Sequence, residues 1–295
     1  MINCTIINND TGEVLNENFK VETLEDKQRK LKGIEKNKLK NEFKNKQQNY
    51  LGNFVFFIFK YMDKLTELLN NNDLIKFIYL GTYVKKNGAL MLDNNITYVN
   101  KKKLQELLNI GNKAFYKFYN NIIDCNLLKE IDEHIYINNN VFYRGSEKEY
   151  KKLTDKKLKD FTRLYIKTTR DLYKNIGTRS YNKLAIAYKL LPHVNWKYNI
   201  LCNNINEINK DRIEPLTIEN VINIIRYNKN QMSRFKKDFY GIKYKEKQLF
   251  KTIQNDENYN NSFTIVNPLL YYRGNDIKEL EYLIMLFELE PINNK

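Results

Sequence analysis

Two stretches of this chain carry the same pattern of apolar residues. They span 104–122 and 221–239, and their offset is constant because 221 − 104 and 239 − 122 both equal 117. The matched apolar positions are Leu104, Leu107, Leu108, Ile110, Phe115, Phe118 and Ile122 in the first stretch and Val221, Ile224, Ile225, Tyr227, Met232, Phe235 and Phe239 in the second. An internal duplication of this length predicts a fold made of two related halves.

Each copy closes on a matching tail. The first tail runs from Tyr136 to Gly145 and the second from Ile265 to Gly274, and both end in Tyr-Arg-Gly. The tail offset is 129 (274 − 145), so the second copy has gained about twelve residues (129 − 117) between helix and tail. We expect these residues to lengthen a hairpin in the second half.

The chain is strongly basic. Its 295 residues include 50 Lys and Arg against 35 Asp and Glu, which gives a formal net charge of +15. Such an excess of cations favours a polyanionic partner. A composition rich in Asn, Lys, Ile and Tyr also fits AT-rich coding DNA, but that bias enriches Glu as well and explains the lysine content better than the charge imbalance.

The cysteines and the hydropathy pattern indicate where the protein resides. Cys4, Cys125 and Cys202 are odd in number and far apart, so they predict neither a disulfide framework nor a zinc site. The longest apolar run, residues 54–59, is too short to span a bilayer, and residues 1–10 lack the features of a secretory signal. We therefore expect a reduced, cytoplasmic protein.

The first copy has the spacing of a helix-turn-helix. Asn100 can cap a helix, Asn109-Ile110-Gly111 forms a tight turn, and a second helix begins at Asn112 or Lys113. Residues 127–137 then alternate around Asp132-Glu133 and predict a hairpin. A hairpin directly after the second helix is the wing of a winged helix.

The second copy repeats these elements with changes at the cap and turn. Thr217 is the expected N-cap, and Asn220 stands where a capping box prefers Glu, so we expect an incomplete cap. Asn228 is expected to adopt the left-handed conformation that we assign to Gly111 in the first copy. The second helix is expected at 229–240.

The other elements of the second half are read from periodicity. Residues 161–176 have the spacing of one amphipathic helix, and a second apolar helix around 184–191 ends at Pro192. The wing is expected to pair 249–254 with 263–266 around a polar tip, 255–261, in which Asp256 and Glu257 disfavour close approach to DNA.

Together these elements predict a mainly α protein with small antiparallel β hairpins (α+β), arranged as two tandem winged-helix domains. We expect the boundaries to be a charged, flexible leader at 1–50, a first winged-helix domain at 51–148, a linker at 149–160 and a second winged-helix domain at 161–295.

The outer side of each second helix offers groups that can read DNA bases. Opposite the apolar positions lie polar residues without acids, and such a helix fits the major groove, where Asn and Gln bond adenine and Arg or Lys bond guanine. The candidate base-reading residues are Asn112, Lys113, Tyr116, Lys117, Asn120, Asn230, Gln231, Ser233, Arg234 and Lys237. Lys101, Lys102, Lys103 and Lys236 are candidates for phosphate contacts, whereas Arg144 and Arg273 favour a structural role.

The sequence carries no recognisable catalytic motif. It lacks a Walker loop and a dinucleotide fingerprint, and its two histidines, His134 and His193, are isolated. We therefore expect a non-enzymatic protein with no catalytic residue, cofactor or metal.

The duplicated helix-turn-helix and hairpin, with the ending Ile137-Asn138 through Phe142-Tyr143-Arg144-Gly145, resemble the winged-helix replication proteins of Firmicute plasmids and phages. In that family two winged helices read successive major-groove segments of repeated origin sites, and dimers can repress the initiator's own promoter. The resemblance implies a sequence-specific binder of double-stranded DNA that acts as a plasmid or phage replication initiator, with the helices at 112–124 and 229–240 as readers.

Three alternatives stay open at this point. A transcriptional regulator could have the same build, a replisome scaffold could use its winged helices to bind proteins, and a nuclease or recombinase could hold an unrecognised site. We expect double-stranded DNA as the partner, with a second copy of the chain and host replication proteins as further candidates, and no membrane.

Overall fold

The computed structural model describes residues 2–177, 180–255 and 258–292 and has a mixed α+β fold, about 49% helical. The helices are α1 (Leu24–Tyr50), α2 (Met62–Leu68), α3 (Asn71–Gly81), α4 (Lys101–Leu108), α5 (Asn112–Asp124), α6 (Glu147–Thr154), α7 (Ile166–Ile176), α8 (Tyr181–Lys189), α9 (Ile218–Ile224), α10 (Met232–Tyr240) and α11 (Ile277–Leu286). The strands are β1 (Ile2–Ile7), β2 (Val14–Val21), β3 (Phe54–Ile58), β4 (Leu128–Ile131), β5 (His134–Ile137), β6 (Phe142–Tyr143), β7 (Phe161–Tyr165), β8 (Lys243–Tyr244), β9 (Lys247–Gln248), β10 (Phe250–Asn255), β11 (Asn258–Val266) and β12 (Tyr271–Tyr272). The chain forms two compact units, which meet in sequence between Lys46 and Gln47.

The first unit contains an antiparallel hairpin and most of a long helix. Strands β1 and β2 pair, and the Thr23 hydroxyl accepts a hydrogen bond from the Asp26 amide at the start of α1. The lysines and glutamates of α1 are good helix formers and need no buried face. The segment expected to be a flexible leader therefore has regular secondary structure.

The second unit is organised around a four-stranded antiparallel sheet with the strand order β12-β7-β3-β6. The two central strands come from different halves of the chain, as do the two edge strands. The halves therefore share one sheet and do not separate into compact units at the expected linker, residues 149–160, half of which belong to α6.

This sheet has an internal two-fold symmetry. In the central pair, Phe54 faces Tyr165 and Ile58 faces Phe161, so the first residue of each strand lies opposite the last residue of the other. The edges follow the same rule, because β6 pairs with β3 as β12 pairs with β7. An antiparallel pair has its two-fold axis perpendicular to the sheet, so equivalent elements of the halves lie on the same face.

The shared tail of the halves has a structural explanation. Asn138 and Asn267 make matching bonds: each amide hydrogen is donated to a leucine carbonyl, of Leu127 and Leu249, at 3.0 and 2.8 Å. The glycine that ends each tail touches the hydroxyl of the tyrosine two residues earlier, so a Cβ at Gly274 would collide with Tyr272. The Tyr-Arg-Gly signature therefore reflects packing.

The arginines of the two tails are also partly buried. The Arg273 guanidinium lies 4.8 Å from the centre of the Phe59 ring. Burial lowers the pKa of both Arg144 and Arg273. These contacts agree with the structural role expected for the pair.

Equivalent helices from the halves cover one face of the sheet and contact each other. Helices α3 and α8 are joined by the side chains of Asn71 and Asn182, which hydrogen-bond at 3.0 Å. On the sheet side, the ring of Phe142 packs on Phe77 of α3, and the Tyr271 hydroxyl donates to the Ala187 carbonyl of α8 at 3.2 Å. This layer carries the helix pairs of both halves.

The expected helix pairs and hairpins are present in both halves. In the first, Asn100 caps α4 and the turn leads into α5, which is followed by the hairpin of β4 and β5. In the second, α9 and α10 are followed by the hairpin of β10 and β11. Asp256 and Glu257, assigned to its tip, lie outside the described residues.

Two expectations were wrong, one about the turns of both helix pairs and one about the cap of the second pair. Neither Gly111 nor Asn228 is left-handed, since their φ values are −67° and −69°. The left-handed residues are Asn109 and Arg226, at φ 51° and 56°, where each first helix ends. The cap at Thr217 is complete. The Asn220 side chain, although shorter than that of Glu, accepts a hydrogen bond from the Thr217 amide at 3.0 Å and closes the capping box.

One expectation about the start of the second half was also wrong. Residues 161–165 form strand β7, and only residues from Ile166 onward are helical. Burial within β7 alternates from Phe161 to Leu164, as in a strand with one covered face. The spacing of Phe161, Leu164 and Tyr165 mimics a helix because it continues into the apolar positions of α7.

The twelve extra residues of the second copy form two features. Leu249 takes the place of Leu127 at an offset of 122 (249 − 127), so five of the extra residues (122 − 117) precede it and add the small hairpin of β8 and β9. The remaining seven (129 − 122) lengthen the hairpin of β10 and β11.

None of the helices in the described part of the chain has the length and apolar character needed to cross a bilayer.

Candidate nucleic-acid interface

The outer side of α5 is open to solvent. All five candidate base-reading residues on it are exposed: Asn112, Lys113, Tyr116, Lys117 and Asn120. The opposite side buries Phe115, Phe118 and Ile122 in the core of the first half. The helix therefore exposes its hydrogen-bonding side to solvent.

The start of α4 is unusually cationic. Its first turn contains Lys101, Lys102 and Lys103 and no acidic residue. Cations are unfavourable at a helix N-terminus, where backbone amides and the helix dipole already attract anions. The lysine side chains and the backbone amides at the start of α4 could together stabilise a phosphate group.

An aromatic pair connects these lysines to α5. The Lys101 ammonium lies 5.1 Å from the centre of the Tyr116 ring and 4.4 Å from that of Tyr119. The Tyr119 hydroxyl donates to Glu130 on β4 at 2.6 Å, and burial followed by this hydrogen bond raises the pKa of Tyr119. The contacts fix α4, α5 and the hairpin relative to one another.

Two candidate residues of the first half already have partners. The Gln105 side chain donates to Asn112 at 2.6 Å, and Lys103 pairs with Glu106 at 3.0 Å. Gln105 holds the turn between α4 and α5, because it also bonds the Ile110 carbonyl at 3.1 Å. Asn112 would therefore have to give up its hydrogen bond with Gln105 to bond a base. Lys102, in contrast, is exposed.

The second half presents a corresponding set of groups. Asn230 and Gln231 lie in a short 3-10 turn before α10, and the other candidates lie on the helix itself. All of them are exposed: Asn230, Gln231, Ser233, Arg234 and Lys237, together with the phosphate candidate Lys236. Phe235 and Phe239 are fully buried on the opposite side.

An ion pair ties α10 to the helical layer. Lys183 of α8 bonds Asp238 at 2.7 Å, and the Asp238 side chain is 16% exposed. This pairing removes the one carboxylate of α10 from its solvent side. In the first half α3 and α5 also contact each other, and the Lys76 ammonium lies 5.1 Å from the Phe118 ring centre.

The cationic residues are distributed unequally between the halves. Helix α9 begins with Ile218, Glu219 and Asn220, where α4 has three lysines. The turn of the first hairpin consists of Asp132 and Glu133, both left-handed at φ 49° and 61°, as a tight hairpin turn requires. The first half therefore offers its cations at α4, and the second half offers them at α10.

Several contributors were not expected from the sequence. Gln105, Tyr119 and Glu130 support the candidate face, but only the fold brings them together. Compared with protein-family models, with curated proteins and with solved structures, the chain gives no significant match.

Proposed function

We propose that this chain is a sequence-specific double-stranded DNA-binding protein made of two winged-helix halves. The observation that carries this proposal is the outer side of α5 and of α10, which in each half follows a short turn, is exposed and presents mainly amides and cations. Asp238 of α10 is paired with Lys183, and Asp124 is the last residue of α5. Such helices can enter the major groove and bond base edges. The net charge of +15 supports a polyanionic partner.

The proposed role is initiation of replication in a plasmid or phage. Support for it comes from the resemblance of the duplicated helix-turn-helix, hairpin and tail to the initiators of such elements. The same geometry would serve a transcriptional regulator, so the arrangement of the DNA sites must separate the two roles.

The two-fold symmetry of the sheet adds a requirement on the DNA site. Two reading units related by a two-fold axis match inverted half-sites, because duplex DNA has two-fold axes of its own. Since α5 and α10 carry different side chains, the two half-sites should differ in sequence. We expect one chain to cover an unequal inverted pair of half-sites about one helical turn apart.

The experiment that tests this proposal is selection of bound fragments from the replicon that encodes the chain, at near-physiological salt. Several copies of the composite site in direct orientation would indicate an origin, and two copies inverted at a promoter would indicate a regulator. No enriched fragment, together with retained binding to a helicase or its loader, would contradict DNA recognition and favour a scaffold.

A further inference from the structure

The symmetry of the two halves is broken at one packed contact. On one side of the two-fold axis, Tyr79 of α3 in the first half stacks on Tyr173 of α7 in the second half, at 4.0 Å between ring centres. The Tyr79 ring also lies 5.4 Å from the Tyr83 ring. Arg170 of α7 covers the Tyr83 ring at 3.6 Å and makes two bonds to Asp93, at 2.9 and 2.7 Å. These side chains fill the space between α3, α7 and the turn after α4.

The symmetry-related space, where α8 of the second half faces α2 of the first half, is a cleft. The strand offset of 107 (161 − 54) and the helix offset of 110 (184 − 74) identify the equivalent residues. By the helix offset, Tyr79 corresponds to Lys189 and Tyr83 corresponds to His193. By the strand offset, Arg170 corresponds to Asp63 and Tyr173 corresponds to Thr66. All four counterparts line a cleft of about 540 Å³ between α2, α8 and the turn before α10.

The cleft is rich in cations. Lys189, Arg226 and Arg234 line it, and Lys183 contributes a fourth cation that is already paired with Asp238. Within the described chain, no carboxylate forms an ion pair with Lys189, Arg226 or Arg234. Asp63 is the other acid of the cleft. Burial lowers the pKa of His193, and the negative charge of Asp63 offsets part of that shift.

The placement of Lys189 and Arg226 is costly to the fold. Burial lowers the pKa of Lys189, and the like charge of Arg226 lowers it further. Arg226 is itself left-handed, at φ 56°, a conformation that the first half assigns to Asn109. A bound anion would relieve the repulsion between the two cations.

The other residues of the cleft lining indicate what kind of molecule would carry the anionic group. Met62, Ile186, Ile225 and Tyr227 provide apolar wall beside the cations. The volume lies in the range of small-molecule sites and exceeds what a bare phosphate ion needs. We propose that this cleft binds a small phosphorylated molecule, with Lys189 and Arg226 holding its phosphate group and the apolar wall receiving the remainder.

The test is calorimetric titration of the full chain with inorganic pyrophosphate, compared with acetate at the same ionic strength. We expect saturable binding of pyrophosphate only. Lys189→Met and Arg226→Asn should each weaken it about tenfold, since each removes a charged hydrogen-bond donor. Arg226→Asn restores the residue type of the first half, so loss of folding does not confound it.

The matched control is Lys152→Met on α6, which removes one exposed lysine that does not line the cleft. This variant should bind pyrophosphate within about twofold of the unmodified chain, because Lys152 does not line the cleft. Absence of saturable binding, or equal losses in all three variants, would overturn the proposal.

A second arm separates a small ligand from the DNA backbone. Binding of duplex DNA is measured for the same variants without pyrophosphate. If Lys189→Met weakens DNA binding while the unmodified chain does not bind pyrophosphate, the cleft takes a backbone phosphate and the small-molecule proposal is wrong. The pyrophosphate titration contains no DNA, so its outcome does not depend on the proposed function.

Discussion

Arg226 occupies in the second half the left-handed backbone position that Asn109 occupies in the first, at the same offset of 117 (226 − 109). Asparagine tolerates this conformation, and arginine rarely adopts it. The chain therefore keeps an unfavourable residue where its side chain lines the cationic cleft. A side chain retained against a local conformational cost is a candidate for function.

Arg226→Asn should raise the free energy of unfolding by up to about 1 kcal/mol, because it relieves the left-handed strain and removes the repulsion on Lys189. Denaturant unfolding measures the change. The reciprocal variant, Asn109→Arg, should lower stability by a similar amount. A destabilised Arg226→Asn variant would show that the guanidinium supports the fold instead.

Lys102→Ala and Arg234→Ala should weaken DNA binding in different ways. Lys102 is exposed at the start of α4 and is expected to contact phosphate, so its loss should lower affinity for all sequences and flatten the salt dependence by about one unit. Arg234→Ala should change which sequences are preferred.

Lys102 is a cleaner probe than Lys101, which also contacts Tyr116 and Tyr119. Selection from a randomised DNA pool, repeated at several salt concentrations, measures both effects. Identical, sequence-independent losses for Lys102→Ala and Arg234→Ala would exclude base reading by α10.

Gly274→Ala should destabilise the second half by about 1–3 kcal/mol, because the new methyl group would overlap the Tyr272 hydroxyl in a packed region. Gly33→Ala is the matched control, since nothing lies within 4 Å of its Cβ position and alanine favours the helix. Thermal unfolding of the two variants distinguishes steric overlap from a general effect of replacing glycine. Equal stabilities would mean that the tail glycine has no packing role.

Cys202 should resist alkylation in the folded protein. It is completely buried, and burial raises the pKa of its thiol to about 12. At about pH 8 the reactive thiolate would be scarce as well as inaccessible. Mass spectrometry after iodoacetamide treatment should find Cys125, which is partly exposed, modified before Cys202. Labelling in denaturant provides the control, and rapid labelling of Cys202 in the native state would contradict its burial.

Local sequence signals located most elements of the helix pairs correctly. Asn100 was identified as a cap because its side chain can accept an amide of the first turn, and Asp132-Glu133 was identified as a hairpin turn because strands alternate around it. These features depend on contacts within a few residues, which periodicity and capping rules describe.

The signals failed where distant segments decide the conformation. Phe161–Tyr165 has helical spacing but is a strand, because β3 and β12 pair with it from about a hundred residues away on either side. The left-handed residues were misplaced for a related reason. Glycine and asparagine favour that conformation, but the end of the first helix determines which residue must adopt it.

The sequence by itself determined that the chain is duplicated, which helices have a polar outer side and where the hairpins that follow them lie, because repeats and apolar periodicity are written along the chain. Only the tertiary structure decided that the halves share one two-fold symmetric sheet and that the symmetry fails at Lys189, His193 and Arg226. Strand pairing and cleft shape depend on contacts between residues far apart in sequence, and no local pattern encodes which of those residues meet.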